Sequence, residues 1–266
     1  MSTGVPVANS RITCKTIYAD ESVLVVEKPP RLVTLPGKGH EHDTLLNGLM
    51  ATHGQTLSQL GADRSFGLLH RLDKGTSGVL IVALSRDAYD GLRAQFAKRL
   101  IEKYYWAVCH KAPASAKGVI TKPIGEREIR INKYSTRKEA RLVSTGHQAV
   151  TAYRVLQDSQ LAALIEARAV TGRLHQVRLH LDFIGSAILG DRLYGPKTVR
   201  RASLRLALHA HRVVFEHPIT GVKVDARSPW PKDLKSLLAR MRLDTPRHGP
   251  PRKSSQEGEA ESTAME

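Results

Sequence analysis

The chain has 266 residues, 41 of them Lys or Arg and 25 of them Asp or Glu, which gives a formal net charge of +16 at pH 7. This length allows one domain with a sizeable core or two small ones. The charge favours a protein that binds a polyanion such as nucleic acid, and the alternative is a basic protein without such a partner. The two cysteines form no CxxC pair, no apolar run approaches the roughly 20 residues that span a bilayer, and residues 1–16 lack the apolar segment of a signal peptide. We therefore expect a cytoplasmic protein without a disulfide framework or a cysteine zinc site.

Strand and helix signals follow one another irregularly along the chain. Short β-branched or alternating runs predict strands over 23–28, 79–84, 104–110, 150–156, 161–167 and 205–215. Apolar residues at helical spacing predict helices over 43–50, 88–100 and 234–241, with another centred on 176–181. There is no regular βαβ alternation and no repeat. We therefore predict an α+β fold, with one large, mostly antiparallel mixed β-sheet and flanking helices.

The two ends of the chain differ in composition from the rest. Residues 1–14 are small and polar, so we expect a flexible N-terminus, and residues 244–266 are too polar to bury a core, so we expect a disordered tail. The tail holds three basic and five acidic residues, which leaves 38 basic and 20 acidic residues, a net +18, on residues 1–243. The positive charge thus belongs to the part that we expect to fold.

The most informative segment is residues 70–78, which read HRLDKGTSG and run directly into the apolar residues 79–82. Asp73 stands there between the cations Arg71 and Lys74, ahead of a turn and a buried strand. Neighbouring cations keep a carboxylate ionised, so Asp73 could serve as a nucleophile or a base. A solvated aspartate in a surface loop would give the same local pattern.

This segment resembles the catalytic motif of the RluA-type pseudouridine synthases, enzymes that isomerise uridine in RNA. The segments KxYxA at 103–107 and TGRLHQVRLH at 171–180 are similar to the second and third motifs of that family. Further matches are Lys28-Pro29, segment 185–195, His209 and His217-Pro218, so the resemblance covers about residues 15–231. It implies the same α+β fold, an isomerase that needs no metal or other cofactor, and a catalytic domain over 15–243. We expect no S4-like RNA-binding domain ahead of it, since only about 15 residues precede the first strand.

The resemblance also implies roles for three catalytic residues. Asp73 would attack the sugar or the base, or take the C2′ proton, and the sequence does not choose among these routes. Arg178 would be the cation beside Asp73, with Arg173 as the second choice; a basic helix face that contacts phosphates is the alternative. Tyr105 would stack on the uracil or relay a proton, unless it is an ordinary half-buried strand tyrosine, and Tyr104 faces the other way.

Several further residues are expected to bind RNA. Arg71 would fill the gap that the flipped nucleotide leaves, or simply contact a phosphate, and Val177 would pack on the flat base. The other candidates are His70, Lys103, Arg173, His175 and, in a basic loop or hairpin over 127–141, Arg130, Lys133 and Arg137. A solvated charge run is the alternative for that hairpin, as it is for the second basic cluster, Lys197, Arg200, Arg201 and Arg205.

Two departures from the family pattern concern the substrate rather than the chemistry. Arg31 stands where the family usually has glycine, and Ser186-Ala187 stands where it usually has His-Pro. The twelve histidines show no metal-ligand spacing, and no phosphate-binding loop motif is present. We expect a pseudouridine synthase that acts on structured RNA, either rRNA or tRNA, without a membrane or an obligatory protein partner. The alternatives are a catalytically silent RNA-binding protein with this fold, and a glycosidase, which would need a second catalytic carboxylate.

Overall fold

The computed structural model describes residues 4–132 and 135–248, with side chains described outside 131–137. Its helices are α1 (Leu45–Leu60), α2 (Arg86–Ala97), α3 (Gln176–Phe183), α4 (Lys197–Arg201) and α5 (Lys235–Arg240). Its strands are β1 (Lys15–Ala19), β2 (Val23–Lys28), β3 (Ser77–Ala83), β4 (Glu102–Cys109), β5 (Lys117–Ile120), β6 (Ile124–Asn132), β7 (Ser135–Leu142), β8 (Thr151–Asp158), β9 (Ala163–Ala169), β10 (Leu208–Glu216) and β11 (Lys223–Arg227). None of these helices is long and apolar enough to cross a membrane.

One large sheet organises the described part of the chain. Its strand order is β1-β2-β3-β10-β4-β9-β8-β5, and β11 pairs with the outer half of β10. The pairing of β3 with β10 is parallel, while the other pairs described in this sheet are antiparallel. The predicted α+β fold with a mostly antiparallel mixed sheet is therefore correct. The remaining strands, β6 and β7, form the hairpin that the basic segment 127–141 suggested.

Two apolar cores lie along this sheet. The first joins β2 and β3 to α1 and α2, and the second joins β4 and β9 to α3 and α5. Strands β2 and β3 read as nearly continuous apolar runs because both of their faces are buried. Tyr105 of β4 is half-buried and packs against both cores. Tyr105, a residue of the predicted site, therefore lies at the seam between the two cores.

Helix boundaries follow local capping chemistry. Thr44 caps α1 with a capping box, in which its hydroxyl accepts from the Asn47 backbone and the Asn47 side chain accepts from the Thr44 N–H. Ser85 caps α2 by accepting from the N–H of Ala88. Helix α1 extends to Leu60, well beyond the predicted 43–50, because Leu57 and Leu60 are buried in the first core.

The chain ends are described in part. Asn47 Nδ2 donates to the carbonyl of Val7, and both amide atoms of Gln157 pair with the backbone of Asp244. Residues 249–266 lie outside the described residues. The flexibility expected of 1–14 and 244–266 stays a prediction.

The two halves of the sheet meet at the short parallel contact between β3 and β10, where Gly78 lies beside Ala210. The φ of Gly78 is +122°, which disfavours residues with a side chain, and a Cβ added there would lie 2.1 Å from the Ala210 carbonyl oxygen. Only glycine allows this close approach of the two backbones. Because Gly78 ends the segment that contains Asp73, the approach also sets where that segment enters the sheet.

We expect Gly78→Ala to lower the free energy of unfolding by about 3 kcal/mol or more, since both the clash and the backbone strain act there. The matched control is Gly54→Ala inside α1, where an added Cβ meets only Met50 Cε at 3.9 Å. That control should raise stability by up to ~1 kcal/mol, because alanine favours the helix. Urea unfolding followed by circular dichroism measures both effects. A loss below about 1 kcal/mol in Gly78→Ala would contradict the close approach.

Candidate active site

A cleft of about 650 Å³ opens at the seam between the two cores. Its walls come from the loop ahead of β3, the end of α2, the start of β4, the start of α3 and the hairpin β6–β7. The predicted site residues that line it are His70, Arg71, Asp73, Lys103, Tyr105, Arg173, His175, Val177 and Arg178. Arg130 is described but does not line this cleft, while Lys133 and the side chain of Arg137 lie outside the described residues. The hairpin instead contributes Glu126 and Lys138.

Asp73 lies on a tight turn whose backbone is held on both sides. The Thr34 hydroxyl donates to the carbonyl of Leu72 at 2.9 Å and accepts from the N–H of Leu72 at 3.2 Å. The N–H of Thr76 donates to the carbonyl of Asp73 at 3.0 Å. The side chain of Asp73 keeps 20% of its surface exposed. The carboxylate is therefore fixed by its backbone and still reachable from the cleft.

Arg178 of α3 joins Asp73 to a second carboxylate. Its Nη1 lies 3.0 Å from Asp73 Oδ2, while its Nε and Nη2 bind both oxygens of Asp191 at 2.7 and 2.8 Å. Burial alone would lower the pKa of Arg178, but the hydrogen bonds and charges of Asp191 and Asp73 raise it above its usual value. Asp191 is buried and accepts the N–H groups of Leu193 and Tyr194 as well. Asp191 thus holds the guanidinium from behind and aims its remaining edge at Asp73.

His175 links this ion cluster to the hairpin. Its Nδ1 lies 2.7 Å from the hydroxyl of Tyr194, which donates to the carbonyl of Ala140 in β7. Because the hydroxyl proton goes to Ala140, the Nδ1 of His175 is the donor to Tyr194. Burial lowers the pKa of His175, although the charge of Asp73 opposes this. The Nε2 of the ring lies 3.9 Å from Asp73 Oδ2.

Tyr105 and Tyr104 point to opposite faces of β4, as the alternation predicts. Tyr105 lines the cleft, where burial and then the charge of Asp73 raise its pKa, so the phenol stays neutral and can donate a hydrogen bond. Tyr104 instead packs under the guanidinium groups of Arg168 and Arg212. The tyrosine that the family resemblance singled out is therefore the one that lines the cleft.

Two further cleft residues are shaped by burial. The His70 Nε2 accepts from the N–H of Ile81 at 3.0 Å, and burial, with a smaller effect of Lys103, lowers the pKa of His70 to about 3. Burial also lowers the pKa of Lys103 to about 8, and its ammonium lies 5.5 Å from the ring centre of Phe96. His70 is therefore a neutral ring that ties the loop carrying Asp73 to β3, while Lys103 is charged at neutral pH.

The segment before α3 is held by the side chain of Gln176. Its Oε1 accepts from the hydroxyl of Thr171 at 2.6 Å and from the N–H of Arg173 at 3.0 Å. Its Nε2 donates to the carbonyl of Val150 and the hydroxyl of Thr151, both at 2.9 Å. This buried amide satisfies four partners and orients the loop that carries Arg173 and His175.

Lys28 was quoted from the sequence only as a family match, and the structure places it behind the turn that carries Asp73. Its ammonium is fully buried and donates to the carbonyls of Pro29 and Leu32, each at 2.8 Å. Burial lowers the pKa of Lys28 to about 7, although the charge of Asp73 opposes this. A neutral amine has two N–H donors, which matches its two carbonyl acceptors. The signal that could have found it is a lysine at the end of a mostly apolar strand, directly before Pro29-Pro30.

The two departures from the family pattern have simple structural outcomes. Arg31 is exposed and keeps the left-handed backbone that favours glycine, with φ +66°. Ser186 and Ala187 are buried, and the Ser186 hydroxyl has no hydrogen-bond partner among the described residues. Neither departure alters the Asp73–Arg178 contact. In the second basic cluster, Arg205 is used structurally, since it binds both oxygens of Asp233.

Two histidines outside the cleft pack on a buried tryptophan. His211 stacks on Trp106 with ring centres 3.8 Å apart, and His209 lies against the same ring at 6.4 Å. Within 4–132 and 135–248, no three His, Cys, Asp or Glu residues are grouped so that they could hold a metal ion.

Comparison with known proteins matches these features to one family. A family model described as RNA pseudouridylate synthase matches residues 22–183. A protein of Zymomonas mobilis named ribosomal large subunit pseudouridine synthase D is 38% identical over 234 residues, which cover 85% of this chain and 72% of that protein. A protein of the same name from Pseudomonas aeruginosa is 34% identical, over a stretch that covers 88% of this chain and 73% of that protein.

A solved structure agrees with this match. The human RNA pseudouridylate synthase domain containing 4 protein superposes with a TM-score of 0.65 at 26% identity, covering 87% of this chain and 94% of that one. The fold and the sequence motifs therefore point to the same family.

The buried Lys28 predicts a pH dependence of stability. Its pKa of about 7 in the folded protein lies below the ordinary 10.5, so between these values the unfolded chain binds more protons and stability rises with pH. We expect Lys28→Met to lose this slope, so that the difference in unfolding free energy between wild type and variant grows by about 2 kcal/mol from pH 7.5 to 9.5. Lys15→Met, at an exposed lysine, is the control. Urea unfolding at both pH values measures the effect, and a constant difference for Lys28→Met would refute the burial of a neutral amine.

Proposed function

Because the chain belongs to the RNA pseudouridylate synthase family, we propose that Asp73 performs the central step of its reaction, the isomerisation of uridine to pseudouridine in RNA. The observation that carries this proposal is the contact of Asp73 Oδ2 with Arg178 Nη1 at 3.0 Å in an open cleft. A carboxylate that accepts from a buried guanidinium and is still reachable from the cleft is suited to act as a nucleophile or base.

The reaction breaks the N1–C1′ bond, turns the uracil and forms a C5–C1′ bond. One proton leaves C5 and one is gained at N1, so the product is an isomer and no co-reactant is consumed. Asp73 can begin this sequence by attacking C1′, by attacking the base or by taking the C2′ proton. Each route needs an anionic carboxylate at the start, and Arg178 stabilises that anion more strongly when RNA displaces water from the cleft.

The surroundings of Asp73 suit a flipped nucleotide. Tyr105 offers an aromatic face and a neutral hydroxyl, and Val177 offers an apolar contact for the flat uracil. Arg71 is exposed at the rim, where its guanidinium can occupy the gap left in the RNA stack. His70 lines the same cleft, but its Nε2 is already bound to the backbone of Ile81, so we assign it to holding the loop rather than to contacting RNA.

Asp191 does not supply the second catalytic carboxylate that a glycosidase needs. The carboxylate that shares Arg178 with Asp73 is Asp191, whose side chain is 1% exposed and whose oxygens both accept from the guanidinium. A glycosidase needs its second carboxyl group to reach a water or a leaving group. Asp191 is therefore suited to orientation rather than to acid–base catalysis.

RNA is the substrate class of the family, and we favour ribosomal RNA over tRNA for this chain. The support is that the relatives from Zymomonas mobilis and Pseudomonas aeruginosa are named as ribosomal large subunit enzymes. The net charge of +16 suits a long polyanion. We place the enzyme in the cytoplasm and assign RNA contacts to Lys103, Arg173, His175 and, in the hairpin, Arg130, Lys133 and Arg137.

Asp73→Asn should lower single-turnover pseudouridine formation about a thousandfold or more, because the amide can neither attack nor take a proton at neutral pH. RNA affinity should stay within a few-fold of wild type, since phosphate contacts supply most of it. Asp158→Asn is the matched control, at an exposed carboxylate at the far end of β8. Residual activity of Asp73→Asn within tenfold of wild type would sink the assignment and favour a role for Asp73 in folding alone.

Mapping of pseudouridine in cells with and without the gene tests the substrate. We expect loss of one or a few sites in large-subunit ribosomal RNA, restored by the wild-type gene and not by Asp73→Asn. Loss of pseudouridine confined to tRNA would show that the substrate is tRNA rather than ribosomal RNA. An unchanged map, together with RNA binding by the purified protein, would favour the catalytically silent RNA-binding alternative.

A further inference from the structure

Arg99 has a left-handed backbone conformation, which glycine adopts with less strain than other residues. It follows the end of α2 with φ +59°, and its N–H donates to the carbonyl of Phe96 while the N–H of Leu100 donates to that of Gln95. These two bonds form the Schellman motif, in which the left-handed position is most often glycine. A residue with a Cβ is strained there, so an arginine at this position needs another reason.

The side chain of Arg99 supplies that reason. It is exposed and lines the cleft, and its Nη2 donates to the side-chain oxygen of Gln148 at 3.2 Å. On the other side of Gln148, the Nε of Arg173 donates to its backbone carbonyl at 3.1 Å. Two guanidinium groups from separate parts of the fold are thus held by one residue at the rim of the cleft.

The partners in these contacts are neutral oxygens. Other arginines of the surface are matched to carboxylates, as Arg154 is to Glu166 and Arg212 is to Asp225. The contacts of Arg99 and Arg173 with Gln148 orient the two groups without cancelling their charges. A planar guanidinium also carries further N–H donors in a fork that fits two oxygens of one phosphate.

We propose that Arg99 and Arg173, oriented through Gln148, form an arginine pair that binds a backbone phosphate of the RNA beside the nucleotide in the cleft. The inference rests on the proposed function, because it needs RNA as the substrate. It adds Arg99 as a substrate-binding residue.

The test exploits a matched arginine elsewhere in the chain. Arg242 is also exposed and left-handed, with φ +54°, and it follows the C-cap of α5 as Arg99 follows the C-cap of α2. The carbonyl of its neighbour Met241 accepts from Ser159, at the end of β8–β9 remote from the cleft. Arg99→Gly and Arg242→Gly therefore remove the same charge and relieve the same type of strain, at the cleft and away from it.

Thermal unfolding and RNA binding are measured on the full chain for both variants, with an unmodified transcript of large-subunit ribosomal RNA as the probe. Both should unfold at or above the wild-type temperature, since glycine suits both positions. Arg99→Gly should weaken binding roughly tenfold and make the slope of log K against log salt shallower by ~0.7–0.9, the value of one phosphate contact. Arg242→Gly should leave the slope unchanged, and Arg99→Lys should retain most of it.

Pseudouridine formation separates binding from chemistry. With total RNA from cells that lack the gene, Arg99→Gly should raise KM and leave kcat within about twofold, because a positioning contact acts through binding. Equal binding by Arg99→Gly and Arg242→Gly, beside an active wild type, overturns the arginine pair and leaves the proposed function standing. A lower unfolding temperature for Arg99→Gly would also overturn it, since the residue would then be structural. A wild type that neither binds nor modifies RNA overturns the proposed function itself and this inference with it.

Discussion

The contact on which the site depends is the ion cluster of Asp73, Arg178 and Asp191. Asp73 and Arg178 are 105 residues apart in the chain and belong to elements packed on different cores. A buried guanidinium is costly unless its donors are matched, and here Asp191 takes two of them while Asp73 takes a third. The cluster therefore joins the two halves of the sheet through the same guanidinium that donates to the Asp73 carboxylate.

Burial separates charged from neutral groups around this cluster. Lys28 and His70 lie against the catalytic turn with pKa values lowered by burial, so their positive charge is weakened where it would compete with Arg178. Charged side chains such as Arg71 and Arg173 are instead exposed at the rim. This arrangement places exposed positive charge at the rim of the cleft, where it can attract a polyanion. It leaves the buried Arg178 as the cation that contacts the Asp73 carboxylate.

Part of the backbone strain lies at the cleft, although Arg31 and Arg242 also have positive φ values away from it. Ser65, Arg99 and His175 adopt positive φ values without being glycine, and all three line the cleft. Left-handed residues of this kind lower stability, and they persist where the surrounding structure determines them. At His175 the strained residue begins α3 and sets the ring between Tyr194 and Asp73. The fold thus gives up some stability to aim side chains into the cleft.

Local pattern was enough to predict much of this protein. The apolar runs of β2 and β3, the helical spacing in α2 and the alternation around Tyr105 depend on near neighbours, so the sequence alone determined these elements and their faces. The motif around Asp73 likewise predicted the family and the reaction. Short edge strands such as β1, β5 and β11 were missed, because their mixed composition becomes a strand only through pairing with a neighbour.

The tertiary structure alone decided the rest, because those features depend on distant contacts. Asp191 is hydrogen-bonded to Arg178, and Arg99 is hydrogen-bonded to Gln148, although no local pattern relates these segments. The burial of the Lys28 amine likewise depends on distant parts of the chain. The left-handed φ of Arg99 is invisible in a sequence in which glycine is the expected signal for that conformation. The sequence motif identified Asp73, and long-range packing determined its partners, its exposure and the charges around it.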